Sequence, residues 1–549
     1  MLSKFIYLLG RALLILITTV GILSCQEKSN LVVVGVFCIN DFHGAFLPEE
    51  NEGKPGASNI LITLDSLKKT YPHHVTIAGG DNFGGSFLYK ATQGSLLHQF
   101  YKAADIKFSA IGNHEFDDGE HGLLKTQTNN LTYLSANIKD SLSNTPSYAS
   151  PYEIYGINIS DTCRLNVGFI GLTTSYTPYL VDAKNIKGLT FSGDYDKIIQ
   201  AYEPQMENAD LTLLVAHIGT YQQGANIKWW DPNSHELNQI KSPHIHGIFT
   251  AHTHEEVCGR INDMQYPATQ AGIYGRNIAV MKIVYDTLQR KVVSVIPELC
   301  PVNTQAQTPH PFQSVIDSAI QHSTIHQLPL NVHLCRAATD MPHTKSLKYS
   351  HTELGDILCR SYADAFTLAS NATPDMPIIG IAHFGSIRRE VRQGNISVFN
   401  AGEILPYANK LRAFHYTGKE LKELLTFGLH NKNYGWMQSA KVEMTCNNET
   451  DLKVIAVHYH NSDSTKIEIT DHSECIIVAD DFMVIGGDGY PIKFFPQERE
   501  IVSNLPNTSE AFMNYLKQRK SIGGQEYLMK KINIQGTKFQ SLEEINSRS

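Results

Sequence analysis

Five short apolar runs, each ending directly in a polar cluster, constrain this chain more than any other feature. Leu31 to Phe37 leads into Asn40-Asp41-Phe42-His43-Gly44, and Val75 to Ala78 into Gly79-Gly80-Asp81-Asn82. Phe108 to Ile111 leads into Gly112-Asn113-His114-Glu115-Phe116-Asp117. Leu211 to Val215 leads into Ala216-His217, and Ile245 to Thr250 into Ala251-His252-Thr253-His254. Short, β-branched apolar runs read as buried strands. Polar residues that follow several such strands collect in one crevice at the carboxyl edge of a mixed or parallel sheet. Helical stretches over Ile60 to Lys69 and Gly94 to Ala104 alternate with the strands. The expected unit is therefore an α/β domain of layered sheets and helices.

The whole chain, 549 residues, is too long for one core. From Val302 to Leu330 the pattern turns to Pro, Gln and His, with a helical segment near Phe312 to Gln321. This stretch reads as an interdomain connection. From about His333 a second α/β or α+β unit begins, with a helix near Thr352 to Phe366 and later loops rich in Gly and aromatics. The expected division is 1–25, 30–302, 303–332 and 333–549.

The N-terminus reads as a targeting segment. Lys4 and Arg11 precede the apolar Ala12 to Leu23, a run shorter than the roughly 20 residues of a spanning helix. It ends in Ile22-Leu23-Ser24-Cys25, and the polar Gln26-Glu27-Lys28 follows at once. That is the layout of a signal peptide, and a cysteine after a small residue resembles a bacterial lipobox. The mature chain is expected to begin at a lipidated Cys25. It would be exported and anchored to a bacterial membrane, with the outer membrane as the expected one, facing periplasm or cell surface. An ordinary secretory signal with a cysteine nearby is the alternative. The net charge of −8 argues against a nucleic-acid partner. Eight further cysteines are widely spaced, with no Cys-x-x-Cys pattern. Cys446 with Cys475, or Cys258 with Cys300, could bridge, and free buried thiols are equally consistent with the spacing.

The 24 histidines first hint at metal chemistry. A two-metal phosphoesterase needs two cations, a bridging carboxylate, and imidazole, carboxylate or amide ligands on each side. No single segment can surround two ions, so the ligands must come from several strand ends. Asp41 and His43 alternate around Phe42, and His252 and His254 alternate around Thr253, so each pair can face one side of an extended segment. Asp81 follows two glycines that permit a tight turn. Asn113 offers a neutral amide oxygen, and His217 stands at a strand end. Any one of these is more often an ordinary polar loop. The force lies in all five, in order, each behind a buried-strand pattern.

Together, Asn40-Asp41-x-His43-Gly44, Gly80-Asp81, Gly112-Asn113-His114-Glu115, His217 and His252-x-His254 resemble the motif series of calcineurin-like metallophosphoesterases. Gly112 through Asp117 is similar to the 5′-nucleotidase branch. The resemblance implies a four-layer sandwich with mixed sheets, followed by a smaller α/β (α+β) substrate-binding domain. It implies two divalent ions, zinc, manganese, cobalt or iron. Asp41, His43, Asp81 and His254 would hold one, and Asp81, Asn113, His217 and His252 the other. His114 would face the phosphate as charge stabiliser or acid, with Asp117 orienting it, while a metal-activated water attacks phosphorus. Ala251, Ala216 and Cys38-Ile39 depart from the usual neighbours without removing a ligand. His73, His74, His98, His121, His244 and His246 match no ligand position and read as solvated or structural.

In the second domain, Phe482 with Gly486-Gly487-Asp488-Gly489-Tyr490 resembles the 5′-nucleotidase loop that stacks on the base and meets the ribose. Tyr434-Gly435-Trp436-Met437-Gln438 resembles the loop with the second stacking aromatic, Trp436 replacing the usual Phe. Arg388 falls on a phosphate- or substrate-binding position, and Lys348 lies near another often held by Arg. In His383-Phe384-Gly385-Ser386-Ile387-Arg388 the family's Asn and glycine run are altered. Core packing of the two aromatics and a plain turn at Asp488 are the ordinary alternatives. The implied activity is metal-dependent hydrolysis of nucleotide phosphate esters, first among them 5′-nucleoside monophosphates. A 2′,3′-cyclic nucleotide phosphodiesterase, a UDP-sugar hydrolase, a thiosulfate-ester hydrolase and a non-catalytic surface nucleotide-binding lipoprotein share the scaffold.

Overall fold

The five sequence-defined strands and the helices between them are present in the computed structural model. It describes residues 30–524, apart from short stretches at 127–130, 232–233, 241, 371–375, 408, 448–451, 462–464 and 502–503, and also residues 532–534. The signal segment and Cys25 lie outside the described residues. Among the described residues no helix is long and apolar enough to cross a membrane.

Two compact units make up the chain. The first comprises the chain through Asn303 except Phe42–Asn59 and Asn82–Ala103, which group with the second unit and Thr304 onward.

The first unit is built on two large sheets. A seven-stranded sheet runs in the order Lys291–Pro301, Asn277–Asp286, Leu31–Ile39, His74–Ala78, Ile106–Ala110, Thr132–Leu134 and Ala149–Ser150. An eight-stranded sheet places Ile245–Thr250, Leu211–His217 and Cys163–Thr173 side by side, ending on Tyr152–Ser160. Both are mixed, as expected. Leu31–Ile39, His74–Ala78 and Ile106–Ala110 are mutually parallel neighbours, with Ile39 opposite Ala78 and Ala78 opposite Ser109. Leu211–His217 is parallel to Ile245–Thr250, with Ala216 opposite Thr250. These registers bring the polar clusters out level at the carboxyl ends of their strands.

Apolar burial explains why these strands are continuous apolar runs instead of alternating ones. Val34, Val36, Cys38, Val75, Ile77 and Phe108 of one sheet pack with Val167, Phe169, Leu213, Val215 and Phe249 of the other. On the reverse face of the second sheet, Leu214, Ala216, Ile170 and Leu172 pack with Tyr195 and Ile199 of helix Tyr195–Tyr202. Every residue of Leu211–His217 is buried. A strand covered on both faces must be apolar at successive positions.

The second unit contains a five-stranded sheet ordered Gln438–Ser439, Ile378–Ala382, Glu474–Asp480, Leu411–Thr417 and Glu500–Ile501. Ile379, Ile381, Phe414, Ile477 and Ala479 from it pack with Leu421, Leu424 and Leu425 of helix Gly418–Leu429. Thr417 and Glu420 start that helix with a reciprocal capping box, which satisfies two backbone amides that the first turn would leave unpaired. Ile378–Ala382 and Glu474–Asp480 are parallel neighbours. Their carboxyl ends lead into His383 and into the loop carrying Phe482 and Asp488. The predicted helix near Thr352 is Glu353–Ser370. Cys446 and Cys475 share one apolar cluster as free thiols, and Cys258 and Cys300 are also free.

Candidate active site

The first unit gathers Asp41, Asp81, Asn113, His217, His252 and His254 from five strand ends. Asp81, His217 and His252 bring one ligand atom each within 4.8 Å of one another. His217 Nε2 stands 3.2 Å from Asp81 Oδ2, and its Nδ1 is 2.9 Å from the Gly79 carbonyl. A carbonyl only accepts, so Nδ1 carries a proton, and Nε2 is the atom turned toward Asp81. His254 Nε2 lies 3.6 Å from Asp41 Oδ1. His43 follows Asp41 by two residues, is buried, and groups with the second unit.

The backbone is bent to aim these side chains. Asp41 (φ 49), His43 (φ 48), Asp81 (φ 51), His252 (φ 80) and His254 (φ 62) all occupy the left-handed region. Non-glycine residues enter it at a cost of order 1–3 kcal/mol each. Surrounding hydrogen bonds hold the strain. The Asp41 amide donates to the Gly80 carbonyl over 3.0 Å. The Asp41 carboxylate accepts from the His252 amide at 3.1 and 3.2 Å, linking ends of the two sheets. Asn40 donates to Asp41 Oδ2 (2.7 Å) and to the Gly272 carbonyl (2.9 Å), and accepts from the Ala271 amide.

Asp81 is held from a second side by Glu115. One Glu115 oxygen accepts from the Asp81 amide (2.8 Å) and the Gly112 amide (2.7 Å), and the His114 amide donates to Asp81 Oδ1 (2.8 Å). Gly112 has no room for a side chain: an added Cβ would lie 2.2 Å from Asp81 Oδ1. Glu115 and Asn40 belong to the quoted motifs, yet their fixing roles depend on contacts that spacing does not reveal. Asp231 escaped the sequence reading entirely. Its Oδ1 lies 4.0 Å from His252 Nε2 and accepts from the Gly219 amide.

Electrostatics suit a cation. Burial pushes the Asp41 carboxyl well above the usual carboxylate range; His217 opposes this and the Asp81 charge adds to it. Burial likewise lowers His252, and lowers His254 to about 4, keeping both imidazoles neutral and able to ligate. Asn113 Oδ1 is buried and makes no hydrogen bond. A buried amide oxygen left that way is costly, and a divalent ion would satisfy it. The donor set of carboxylate, imidazole and amide oxygen is the borderline mixture that zinc, manganese, cobalt and iron accept.

A ring nitrogen of His114 lies within 4.8 Å of an Asp81 carboxylate oxygen. Its Nδ1 is 2.9 Å from Asp117 Oδ2, and both side chains remain partly exposed. Burial opposes its charge, but Asp81 and the Asp117 hydrogen bond outweigh it and hold the imidazole up to about 10. With Nδ1 committed to Asp117, the protonated imidazole carries its second N–H at Nε2.

A second cluster lies in the other unit. His383 Nδ1 is 2.7 Å from Asp488 Oδ2, and the Phe482 ring lies 5.0 Å from the His383 ring at 40°. Phe482 is 37% exposed and Tyr434 47%, whereas Trp436 is 5% exposed and packs edge-on to His351. Of the aromatics in that loop, Tyr434 therefore offers the freer face. The altered loop buries Phe384 against His343, with ring centroids 4.0 Å apart, so Phe384 turns inward. Arg388 is exposed, its guanidinium over the Tyr407 ring at 5.2 Å. Lys348 Nζ donates to the Asn433 carbonyl.

Residues 35–256 match the family model described as calcineurin-like phosphoesterase, and 335–494 that described as 5′-nucleotidase, C-terminal domain. A cell wall protein of Listeria monocytogenes is 23% identical over 95% of this chain and 72% of its own length. A 5′-nucleotidase-related protein of Glossina morsitans morsitans is 22% identical over 87% and 91%. The crystal structure of a 5′-nucleotidase precursor from Thermus thermophilus aligns over 92% of this chain and all of its own, at TM-score 0.60 and 17% identity. A putative 5′-nucleotidase from Staphylococcus aureus aligns over 91% and 99%, at 0.61 and 16%. At such identities the structural likeness shows the fold.

Proposed function

The chain belongs to the 5′-nucleotidase family, a calcineurin-like metallophosphoesterase domain followed by a 5′-nucleotidase C-terminal domain, and from that premise we propose that it hydrolyses 5′-nucleoside monophosphates to nucleoside and phosphate at a two-metal site. The observation that carries the reading is the convergence of Asp81, His217 and His252, with the unpartnered oxygen of Asn113, at the ends of parallel strands. Asp41, His43, Asp81 and His254 would hold one ion, and Asp81, Asn113, His217 and His252 the other. Such ions supply Lewis acidity that polarises the phosphoryl group and makes water nucleophilic near neutral pH.

The chain's own groups do the rest. Glu115 fixes the backbone of Asp81, and Asn40 fixes Asp41, so the carboxylates are aimed before substrate arrives. His114 presents Nε2–H to the phosphoryl oxygens, stabilising charge that grows in the transition state, or hands that proton to the leaving oxygen. Asp117 keeps the imidazole charged and oriented. A pure binding protein has no use for such an acid. In the domain spanning 333–549, Phe482 and the exposed Tyr434, from the loop that buries the expected Trp436, stack on the base, Asp488 meets the ribose, and Arg388 and Lys348 bind phosphate. The preceding domain spans 30–302, with 303–332 as the connection. Export through the segment ending at Cys25, and a lipid anchor there, complete the reading.

The test is phosphate release from AMP, UMP, ATP, a UDP-sugar and a 2′,3′-cyclic nucleotide. Monophosphates are expected to give the highest kcat/KM. Preference for the cyclic ester or the UDP-sugar would replace the proposed substrate while leaving the reaction class in place. For the stacking role, Phe482→Ala should raise KM for AMP about tenfold, the worth of one aromatic–base contact. KM for p-nitrophenyl phosphate should change much less. Equal effects on both would remove Phe482 from base recognition.

A further inference from the structure

His383 stands where the resemblance leads one to expect Asn, and its surroundings give it a job. Ile378–Ala382 pairs in parallel with Glu474–Asp480, Gly380 opposite Val478, so His383 and the Phe482–Asp488 loop leave the sheet at the same edge. There one imidazole serves two neighbours: Nδ1 stands 2.7 Å from Asp488 Oδ2, and the ring lies against Phe482. The His383 side chain is 9% exposed, so it supports these two from beneath and does not compete with a ligand for them.

The loop needs that support. Asp488 sits at φ 49 between Gly486 (φ 102) and Gly489 (φ 72), three positive φ values in four residues. Asn431 Nδ2 donates to the Asp488 carbonyl over 3.0 Å and so fixes its backbone. His383 Nδ1 packs against the Asp488 carboxylate at 2.7 Å, a close polar contact outside hydrogen-bond geometry. Phe482 packs against the same loop, where a Cβ on Gly487 would come within 2.4 Å of its ring.

We propose that His383 is a positioning residue that sets how tightly the nucleoside part of the substrate is held, by fixing the Asp488 carboxylate and bracing the Phe482 ring. This rests on the assignment of Asp488 and Phe482 to the nucleoside. Histidine places a polar nitrogen and a flat ring at one position; an Asn there keeps a polar group but offers Phe482 no ring. Coupling between side chains in direct contact is felt as about tenfold.

The test is steady-state kinetics on AMP and p-nitrophenyl phosphate for the full chain, His383→Ala, Asp488→Asn and the double variant. His383→Ala is expected to raise the ratio of the AMP KM to the aryl phosphate KM about tenfold, with kcat for AMP within about threefold. In the Asp488→Asn background the same change should add less than about twofold, because the partner is already gone. His383→Gln, which keeps a polar group toward Asp488, should recover most of the lost ratio, and it keeps the question answerable if His383→Ala misfolds. A KM rise shared equally by both substrates, or an undiminished effect in the Asp488→Asn background, would overturn the proposal. Asp488→Asn without effect on the AMP KM would instead remove the nucleoside assignment on which it rests.

Discussion

His114→Ala is expected to lower turnover about 10²–10⁴-fold, the range spanned by loss of a positioned acid or a charge-stabilising donor, while the protein keeps its metal. The separation of the two effects follows from where the imidazole points. Nδ1 is taken by Asp117, and the residue's structural contribution to the centre is its backbone amide, which donates to Asp81 Oδ1. Alanine retains that amide, so Asp81 stays in place while the Nε2 proton is lost. A cation beside Asp81 would offset part of the charge that holds the imidazole protonated, so the Asp117 hydrogen bond would be the more important partner in the loaded enzyme. Metal analysis of the purified variant, alongside kcat for AMP, checks both halves. Loss of metal together with activity would make His114 a ligand and dismiss it as the acid.

Gly112→Ala should be nearly as damaging by a different route. The added methyl would sit 2.2 Å from Asp81 Oδ1, 2.6 Å from the Asp81 amide nitrogen and 2.8 Å from Glu115 Oε2. One of these is backbone, and backbone amides pin both carboxylate oxygens. The Asp81 carboxylate and the Glu115 oxygen that fixes its backbone must therefore both shift. Disturbing groups that orient metal ligands typically costs about 10–100-fold in metal affinity or activity, and a displacement near 1 Å can cost about 10²-fold in rate. The expected outcome is weaker metal binding and a loss of at least about 10²-fold in kcat/KM. The fold should persist, because Gly112 lies beyond the end of its strand. A Gly112→Ala enzyme with full metal affinity and turnover would contradict the assignment of Asp81 to the centre.

The elements were legible because their signals are local. Leu211–His217 is an unbroken apolar run since both faces are covered, and Glu353–Ser370 reads as a helix from its own periodicity. The polar clusters were legible as one site because parallel strands end on one edge, a rule of topology that needs no knowledge of side-chain contacts. What stayed hidden depends on residues far apart in the chain. Nothing in the spacing says that Asp231 backs His252, or that His383 reaches the distant Asp488. Exposure is hidden for the same reason: Trp436 and Tyr434 occupy one motif, and only packing against His351 decides that the former turns inward. The altered loop at His383–Arg388 shows the converse. By its bulk Phe384 reads as an obstruction where glycine is usual, and its stacking on His343 takes the ring out of the way.

The measurement that tests the central claim most directly is phosphate release from AMP by the chain after Cys25, stripped with chelator and then titrated with manganese, cobalt or zinc while bound ions are counted. The expected result is release that vanishes on stripping and returns as about two ions bind per chain. Undiminished release from protein shown to hold no ion, or two bound ions with no release from any phosphate ester, would contradict a two-metal phosphoesterase.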